Sequence, residues 1–407
     1  MKDENELKDA VGLHPFETPN RRRLELKRGR EGAIRNRHPW IFAGAIGGQS
    51  GPEDAAIGDL VDASGAVVAS GFHSRHSQIR LRALTFGGQQ LTADVIRSRI
   101  ASAIERRESI LGEDTTAARL VNAEGDDLSG VVIDRYTDVI VVEIANRGAE
   151  QLKALFVDVV RERLAPRLIY FKNDLPARKV EQLPAGNEWV GAGEPSAPIL
   201  ESGLRFLVEP HEGQKTGFFL DQRENRRMAR SIANGARVLN LFSYSGAFGV
   251  YAAAGGAASV RNVDTSAKAI ELAKTNHALN GTAAEFTVAD AFAFVREQAA
   301  AGQQYDVVIC DPPAFAKSRG DVDRAARGYK DINLYAMRLV RPGGHLMTFS
   351  CSGHVSLDLF QKVIFSAALD AGRRAAFVRR LTAGPDHPVS LFCPEGEYLK
   401  GFLLEVR

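Results

Sequence analysis

Hydrophobic and polar positions fall into three successive textures along the 407 residues. From about Arg21 to Phe86, short apolar runs alternate with polar residues in period two and are punctuated by glycine. The stretch "GDLVDASGAVVASGF" reads as a strand, an Asp-Ala-Ser-Gly turn and a second strand, hence a hairpin. "HPWIFAGAI" precedes it, and "SQIRLRAL" follows with the same alternation. Together they predict a small β-rich, barrel-like domain over residues 21–90.

The period then changes. Residues 91–111, "LTADVIRSRIASAIERRESIL", repeat apolar positions at helical spacing and stop before Gly112. "GVVIDRYTDVIVVEIA" is a strand, a turn and a strand; "AEQLKALFVDVVRERL" is an amphipathic helix, and "RLIYFKND" another strand. A strand pair, "PILESG" and "LRFLVEP", closes this α+β middle domain, which spans 91–212. Beyond Gly213 the apolar strand cores "RVLNLF", "SVRNVD", "AEFTVAD", "YDVVICD" and "GGHLMTFS" are mostly separated by helical patterns. That order predicts an α/β, doubly wound and largely parallel sheet over 213–407.

A composition of 44% hydrophobic and 25% charged residues is that of a globular chain. No apolar run approaches the roughly 18 to 20 residues that span a bilayer. The first residues, "MKDENELKDAVGLHPFE", lack the basic start and apolar stretch of a signal peptide. Three cysteines at unrelated spacings make neither a disulfide framework nor a paired CxxC metal site. A cytoplasmic, reducing location with free thiols and no metal is expected. Nothing in the pattern sets the oligomeric state, and a homodimer is compatible with it.

Charge adds one feature. Residues 1–20 carry two Lys against five Asp or Glu, net −3, which reads as a solvated, disordered leader that the protein can dispense with. Residues 21–37, "RRRLELKRGREGAIRNR", carry eight Arg or Lys against two Glu, net +6. Arg21, Arg22, Arg23, Lys27 and Arg28 are therefore candidates to track a phosphate backbone, with a solubilising face as the alternative.

Candidate chemistry sits where the strands of the last domain end, because ligands of such sheets bind beyond the strands' carboxyl ends. "VLNLFSYSGAFG" runs from a strand into a tight loop at Ser245-Gly246 and on into a helix. Glycine permits close approach of backbone to a ligand. Asp264 ends the next strand, where a carboxylate can accept both hydroxyls of a ribose, and Asp290 closes the one after, facing an adenine edge. A nicotinamide dinucleotide needs GxGxxG for its pyrophosphate, which "SYSGAFG" does not supply. S-adenosylmethionine has no phosphate, so one glycine and nearby polar groups suffice. Each Asp could instead be a helix N-cap.

"VVICDPPAF" ends the fourth strand with Asp311, and Pro312 and Pro313 stiffen the loop beyond it. An acidic residue before Pro-Pro and an aromatic suits methyl transfer to a nucleobase. Asp311 can hydrogen-bond the base, and Phe315 can stack on it once flipped. Cys351 stands at the carboxyl end of the fifth strand, in "FSCSG", beside the Asp311 strand. Carbon 5 of cytosine becomes nucleophilic only after a thiolate adds to carbon 6, and Cys351 fits that nucleophile. Cys310, inside a strand, and Cys393, in "LFCPEG", read as packing residues.

At these residues the chain resembles the bacterial 23S ribosomal RNA cytosine-C5 methyltransferases of the large subunit methyltransferase I type. "LKRGREGAIRNRHPWIFAGAI" is similar to the start of a PUA domain, an RNA-binding pseudobarrel, and "RLVNAEGDDLSGVVIDRY" to the family's middle domain. "KTGFFLDQRENR", "LNLFSYSGAFG", "DPPAF", "FSCSG" and "DHPVSLFCPEGEYLKGF" follow in the family's order. The resemblance implies a Rossmann-like class I methyltransferase domain after the PUA-like barrel. It also implies S-adenosyl-L-methionine as cofactor, 23S ribosomal RNA or a large-subunit precursor as partner, and Cys351 as nucleophile.

Carried over residue by residue, the cofactor loop falls on Asn240, Phe242, Ser245 and Gly246, and the polar strand ends on Asp264, Asp290 and Asp311. Asp221 and Glu224 have capping-box spacing for the helix "QRENRRMARSI", which would aim Phe218, Phe219 and Gln222 at the cofactor. Two departures stand out at Ala314. Other RNA cytosine-C5 methyltransferases carry a second cysteine just after Asp-x-Pro, so adduct release here relies on another base, and close relatives have lysine at this position. Base-nitrogen methylation of a guanine or adenine, and a non-catalytic RNA-binding ribosome-assembly factor, are the competing functions.

Overall fold

The computed structural model describes residues 15–213 and 215–407. Most of the acidic leader, with its expected disorder and dispensability, lies outside the described residues. The chain divides into two compact units. The first takes residues up to Ile199, Val208–Phe218 and Pro385–Gly396; the second takes Leu200–Leu207, Phe219–Gly384 and Glu397–Arg407.

The first unit contains two sheets. Strands β1 (Arg22–Leu26), β2 (Trp40–Phe42), β3 (Ile46–Ser50), β4 (Ile57–Val61), β5 (Val67–His73) and β6 (Ile79–Phe86) form one, in the order β2-β6-β5-β4-β1-β3. The hairpin expected at "GDLVDASGAVVASGF" is β4–β5. Its turn forms because the Asp62 carboxylate accepts from the backbone N–H of Ser64 and of Ala66, and Gly65 takes a φ of +86°. Alternation along these strands sends Leu24, Ile41, Leu60 and Leu81 into a common core.

The second sheet holds β7 (Ala117–Asn122), β8 (Val131–Tyr136), β9 (Val139–Ile144), β10 (Leu168–Phe171) and β11 (Glu188–Gly191), in the order β11-β10-β9-β8-β7. Strands β9 and β10 run parallel, joined by the helix Lys153–Leu164. The other long helix, Ala93–Ile110, starts where Thr92 accepts from the Val95 N–H. It turns Ile96, Ile100 and Ile104 onto the sheet.

Residues 385–396 fall inside the segment that the sequence assigns to the last domain, yet they belong to the first unit. Their polar anchors account for it. Asp386 accepts the Arg119 N–H at 3.1 Å on its side chain and Arg107 at 3.0 Å on its carbonyl. The Pro388 carbonyl accepts Asn122 at 2.9 Å. No periodicity encodes a return of this kind.

A hairpin of β12 (Ala197–Glu201) and β13 (Leu204–Val208) follows in the chain. The second unit is built on β14 (Arg237–Leu241), β15 (Ser259–Asp264), β16 (Glu285–Val288), β17 (Tyr305–Cys310), β18 (Val340–Ser350), β19 (Ala375–Leu381) and β20 (Lys400–Val406). Their order is β16-β15-β14-β17-β18-β20-β19. All neighbours are parallel except β20, which runs antiparallel to both β18 and β19. The five parallel strands are those the sequence predicts; the sequence analysis assigns no strand to the antiparallel pair, β19 and β20. The strand order reverses direction between β14 and β17, so a crevice opens there beyond the strands' carboxyl ends.

One buried ion pair ties the first unit together. Arg107, 2% exposed, meets both oxygens of Asp126 at 2.7 and 2.6 Å. Burial by itself pushes the Asp126 carboxyl up, but Arg107, the Asn122 N–H and Arg106 outweigh it and hold it below its ordinary value. Removing one partner leaves an uncompensated buried charge, so Asp126→Ala is expected to cost about 3 to 5 kcal/mol in urea unfolding. Because the folded-state pKa is the lower one, the pair's contribution is complete above the unfolded value near 3.8 and is lost as pH falls through the folded value. Urea titrations at pH 7 and across the acid range should therefore converge for wild type and variant toward low pH.

Candidate active site

Strand β14 delivers the chain to the crevice at Leu241, and the loop beyond it alternates hands. Phe242, Tyr244 and Gly246 take φ of 56°, 45° and 71°. Left-handed conformations at two aromatic residues are costly and need fixed partners. The Ser243 N–H donates to the Val263 carbonyl at 3.0 Å, and the Gly246 N–H to the Ser243 carbonyl at 2.8 Å. The Tyr244 N–H donates to Oδ2 of Asp264 at 2.9 Å. Asp264 is thus pinned at the end of β15, its Oδ1 also accepting the Ser266 N–H at 2.9 Å. A carboxylate oxygen has two lone pairs, so each retains capacity for a hydroxyl.

Gly246 owes its identity to packing as well as to its φ. A Cβ there would lie 2.7 Å from the Ala273 Cβ, on the helix Ala267–Leu279. The close approach that this glycine permits is therefore to that helix. Ser245 is buried, and its carbonyl accepts from Asn276 at 2.9 Å. Asn240 departs from the expectation. It is 1% exposed, and its amide donates at 2.8 Å to Asn262, its partner in the neighbouring strand β15. A side chain pointing off a strand interior is taken up by its neighbouring strand; that is the correction for Asn240.

Asp290 is an exposed N-cap, accepting the Ala293 N–H at 2.9 Å through Oδ1. The helix Arg223–Ser231 forms without the expected capping box. Asp221 is drawn instead to the Tyr398 hydroxyl at 2.6 Å, and Glu224 to Arg227 at 3.0 Å. Gln222 nevertheless reaches the crevice, its Nε2 donating to Oδ2 of Asp311 at 3.0 Å. Phe219 meets the Tyr244 ring edge-on at 5.3 Å, while Phe218 falls in the first unit.

Asp311 and Cys351 end adjacent parallel strands, since Cys310 of β17 pairs with Thr348 of β18. The Cys351 thiol is half-buried and lies 3.7 Å from the Pro312 carbonyl. Pro312 is buried and Pro313 exposed. One buried hydroxyl joins the two strand ends. Ser352 Oγ accepts the Ala316 N–H at 3.2 Å and pairs with the Tyr329 hydroxyl at 2.9 Å. Phe315 is half-buried, with its ring 4.6 Å from that of Tyr329 and 5.9 Å from that of Phe292. Part of its surface is committed to these rings.

The other two cysteines differ in state. Cys310 is fully buried, and burial pushes its thiol well above the ordinary value, with Asp311 adding to the effect. Cys393 belongs to the first unit, where burial, then Glu124 and Glu395, push it up to about 12. Cys393, His38 and Glu395 form the one such trio among the described residues that could hold a metal by proximity, with ligand atoms within 4.8 Å of one another. The imidazole argues against it. The Trp40 N–H donates to His38 Nδ1 at 3.0 Å, so the neutral ring carries its proton on Nε2, toward Glu395. A metal on Nε2 would need that proton on Nδ1.

The predicted basic residues separate by burial. Arg23, Lys27 and Arg28 are exposed, and Arg22 is half-buried with Nη1 on the Gly51 carbonyl. Arg21 is 5% exposed, paired to Asp59 at 3.0 Å and donating to the carbonyls of Phe16 and Leu91. It is a structural cation, not a phosphate contact, because its donors are consumed inside the fold.

A family model for S-adenosylmethionine-dependent methyltransferases matches residues 126–394, and one for PUA-like domains matches 24–86. The ribosomal RNA large subunit methyltransferase I of Shewanella amazonensis is 42% identical over 94% of this chain and 99% of its own. That of Pseudoalteromonas atlantica is likewise 42% identical, with the same coverage. The chain belongs to the ribosomal RNA large subunit methyltransferase I family. Two solved structures share the fold of this family member at 22% identity, each covering 94% of this chain and 99% of its own. One is described as a methyltransferase complexed with SAH, TM-score 0.81, and the other as a SAM-dependent methyltransferase from Streptococcus mutans, TM-score 0.79.

The crevice of this methyltransferase fits S-adenosylmethionine on its own geometry. Ser243 Oγ is buried in the loop without a hydrogen-bond partner in the protein, so it is free to bond a water or a polar ligand. Asp264 and Ser243 would hold the cofactor, with Phe242 and Asp290 at its edges. Ser243 escaped sequence reasoning although it stands in the quoted "FSYSG", and so did Tyr329 and Ser352, whose spacing carries no signal. Asp264→Ala removes the acceptors for two ribose hydroxyls and should weaken S-adenosylmethionine binding by about 1.5 to 3 kcal/mol per bond. Calorimetry on the folded variant checks this; unchanged affinity would show that Asp264 serves the loop alone.

Proposed function

We propose that the protein methylates carbon 5 of a cytosine in 23S ribosomal RNA, with Cys351 as the nucleophile. The relatives' names supply the large-subunit RNA, and the single observation that carries the chemistry is the thiol's situation. Cys351 is the one cysteine that is not fully buried, and it stands at a strand end beside Asp311.

Asp311, held by Gln222, would accept from the amine of the flipped base and set its face toward Cys351. The thiolate adds to carbon 6, and the electron pair moves to carbon 5. The bound cofactor supplies an electrophilic methyl group. Loss of the carbon 5 proton to a base then expels the thiolate and restores the ring. Position 314 is alanine, so that base is not a second cysteine in this loop.

Cys351→Ala should reduce methyl transfer to background while S-adenosylmethionine affinity and fold persist. Cys310→Ala and Cys393→Ala should retain most activity. RNA carrying 5-fluorocytosine should trap the wild type covalently at Cys351, because fluorine cannot leave as a proton does. Methylation by Cys351→Ala without any covalent adduct would favour base-nitrogen methylation, and an adduct on another residue would overturn Cys351 as the nucleophile.

RNA binding through the PUA-like domain has a separate check. Neutralising Arg23, Lys27 and Arg28 together should flatten the salt dependence of RNA binding, by roughly 0.7 in log–log slope for each single-strand phosphate they had neutralised. Arg21→Met should instead lower thermal stability. An unchanged slope in the triple variant would make these residues a solvated face.

A further inference from the structure

Lys400 is the first residue of β20, opposite Ser350 in the ladder, at the end of β18 that carries Cys351. It is 4% exposed, and its Nζ donates to the Ser352 carbonyl at 2.9 Å, one peptide beyond the cysteine. Its neighbour Gly401 explains how β20 comes so near. A Cβ at 401 would lie 2.4 Å from the Phe349 ring, so only glycine lets the strand close over the end of β18.

A buried ammonium is costly unless an opposite charge faces it. Burial lowers the pKa of Lys400, and two groups offset this, Glu397 and Cys351. Glu397 is exposed, where water screens its charge. That leaves the sulfur of Cys351 as the less-screened countercharge. Tyr329, from the helix Val322–Leu339, also acts on the sulfur, the Pro312 carbonyl lies 3.7 Å from it, and Asp311 follows the neighbouring strand β17. Burial, together with Cys351, holds the Tyr329 phenol above its ordinary value, so it meets the sulfur as a neutral dipole. Asp311 opposes a thiolate. Among these described groups Lys400 is the cation.

We propose that Lys400 is the positioning residue for Cys351, its ammonium stabilising the thiolate after the thiol proton passes to solvent. This rests on Cys351 being the nucleophile, and it adds the residue that readies it. The arrangement also explains why a lysine should be buried at a strand start, where the sheet itself needs no charge.

The test reads the thiol without RNA or methyl transfer. Full-length protein is alkylated with iodoacetamide across pH, and the label at Cys351 is quantified by peptide mass. The wild-type midpoint should fall below the value of about 8.5 for a free thiol. Lys400→Gln should raise it by about one pH unit or more, and Lys400→Arg should keep it near wild type. A wild-type midpoint at or above 8.5, or an unchanged midpoint in a natively folded Lys400→Gln, would overturn the proposal. Should Lys400→Gln fail to fold, the wild-type midpoint still decides. The nucleophile assignment fails separately, through methyl transfer by Cys351→Ala.

Discussion

The candidate active site depends on one buried hydroxyl. Ser352 takes the Ala316 N–H and the Tyr329 hydroxyl on its side chain, and the Lys400 ammonium on its carbonyl. Three separate segments therefore meet one residue beyond Cys351: the Asp-Pro-Pro loop, a helix and the antiparallel strand β20. A fully satisfied polar network of this kind is worth more for geometry than for stability, because it admits a single arrangement of its members. With Pro312 and Pro313 stiffening the loop, the carboxylate of Asp311 and the thiol of Cys351 are carried on rigid supports.

The cofactor side uses a different device with the same result. Left-handed residues at Phe242 and Tyr244 are held by backbone bonds to β15 and by Asp264 itself. The carboxylate suited to a ribose is thus also the anchor of the loop that walls it. Loop shape and ligand recognition are coupled through one side chain. The Ser243 hydroxyl, buried without a partner in the protein, leaves this loop a polar group to offer a ligand.

Placed on one sheet edge, the two halves meet at the reversal of strand order between β14 and β17. Cys310 pairs with Leu241 on one side and with Thr348 on the other, so the strand of Asp311 stands between the cofactor loop and Cys351. That central position suits Asp311 to contact both the methyl donor and the base. It also explains the contrast between neighbours in the sequence, since Cys310 points into the core while Asp311 opens to the crevice.

Much of this was determined by the sequence alone. Period-two and helical patterns set the hairpin β4–β5, the helix at 93–110 and five parallel strands, because each depends on local periodicity and turn chemistry. The strand-end residues Asp264, Asp311 and Cys351 were legible for the same reason: a strand's apolar core ends where its polar tip begins. Tertiary structure alone decided what each polar group does with its bonds. Arg21 and Asn240 look like ligand residues until Asp59 and Asn262 are found beside them. The Asp221 capping box is lost to Tyr398, 177 positions away, and Lys400 acquires its meaning only when β20 folds back beside β18. Hydrogen-bond partners distant in sequence leave no periodic trace, so a residue type can announce a chemistry while only the fold chooses its partner.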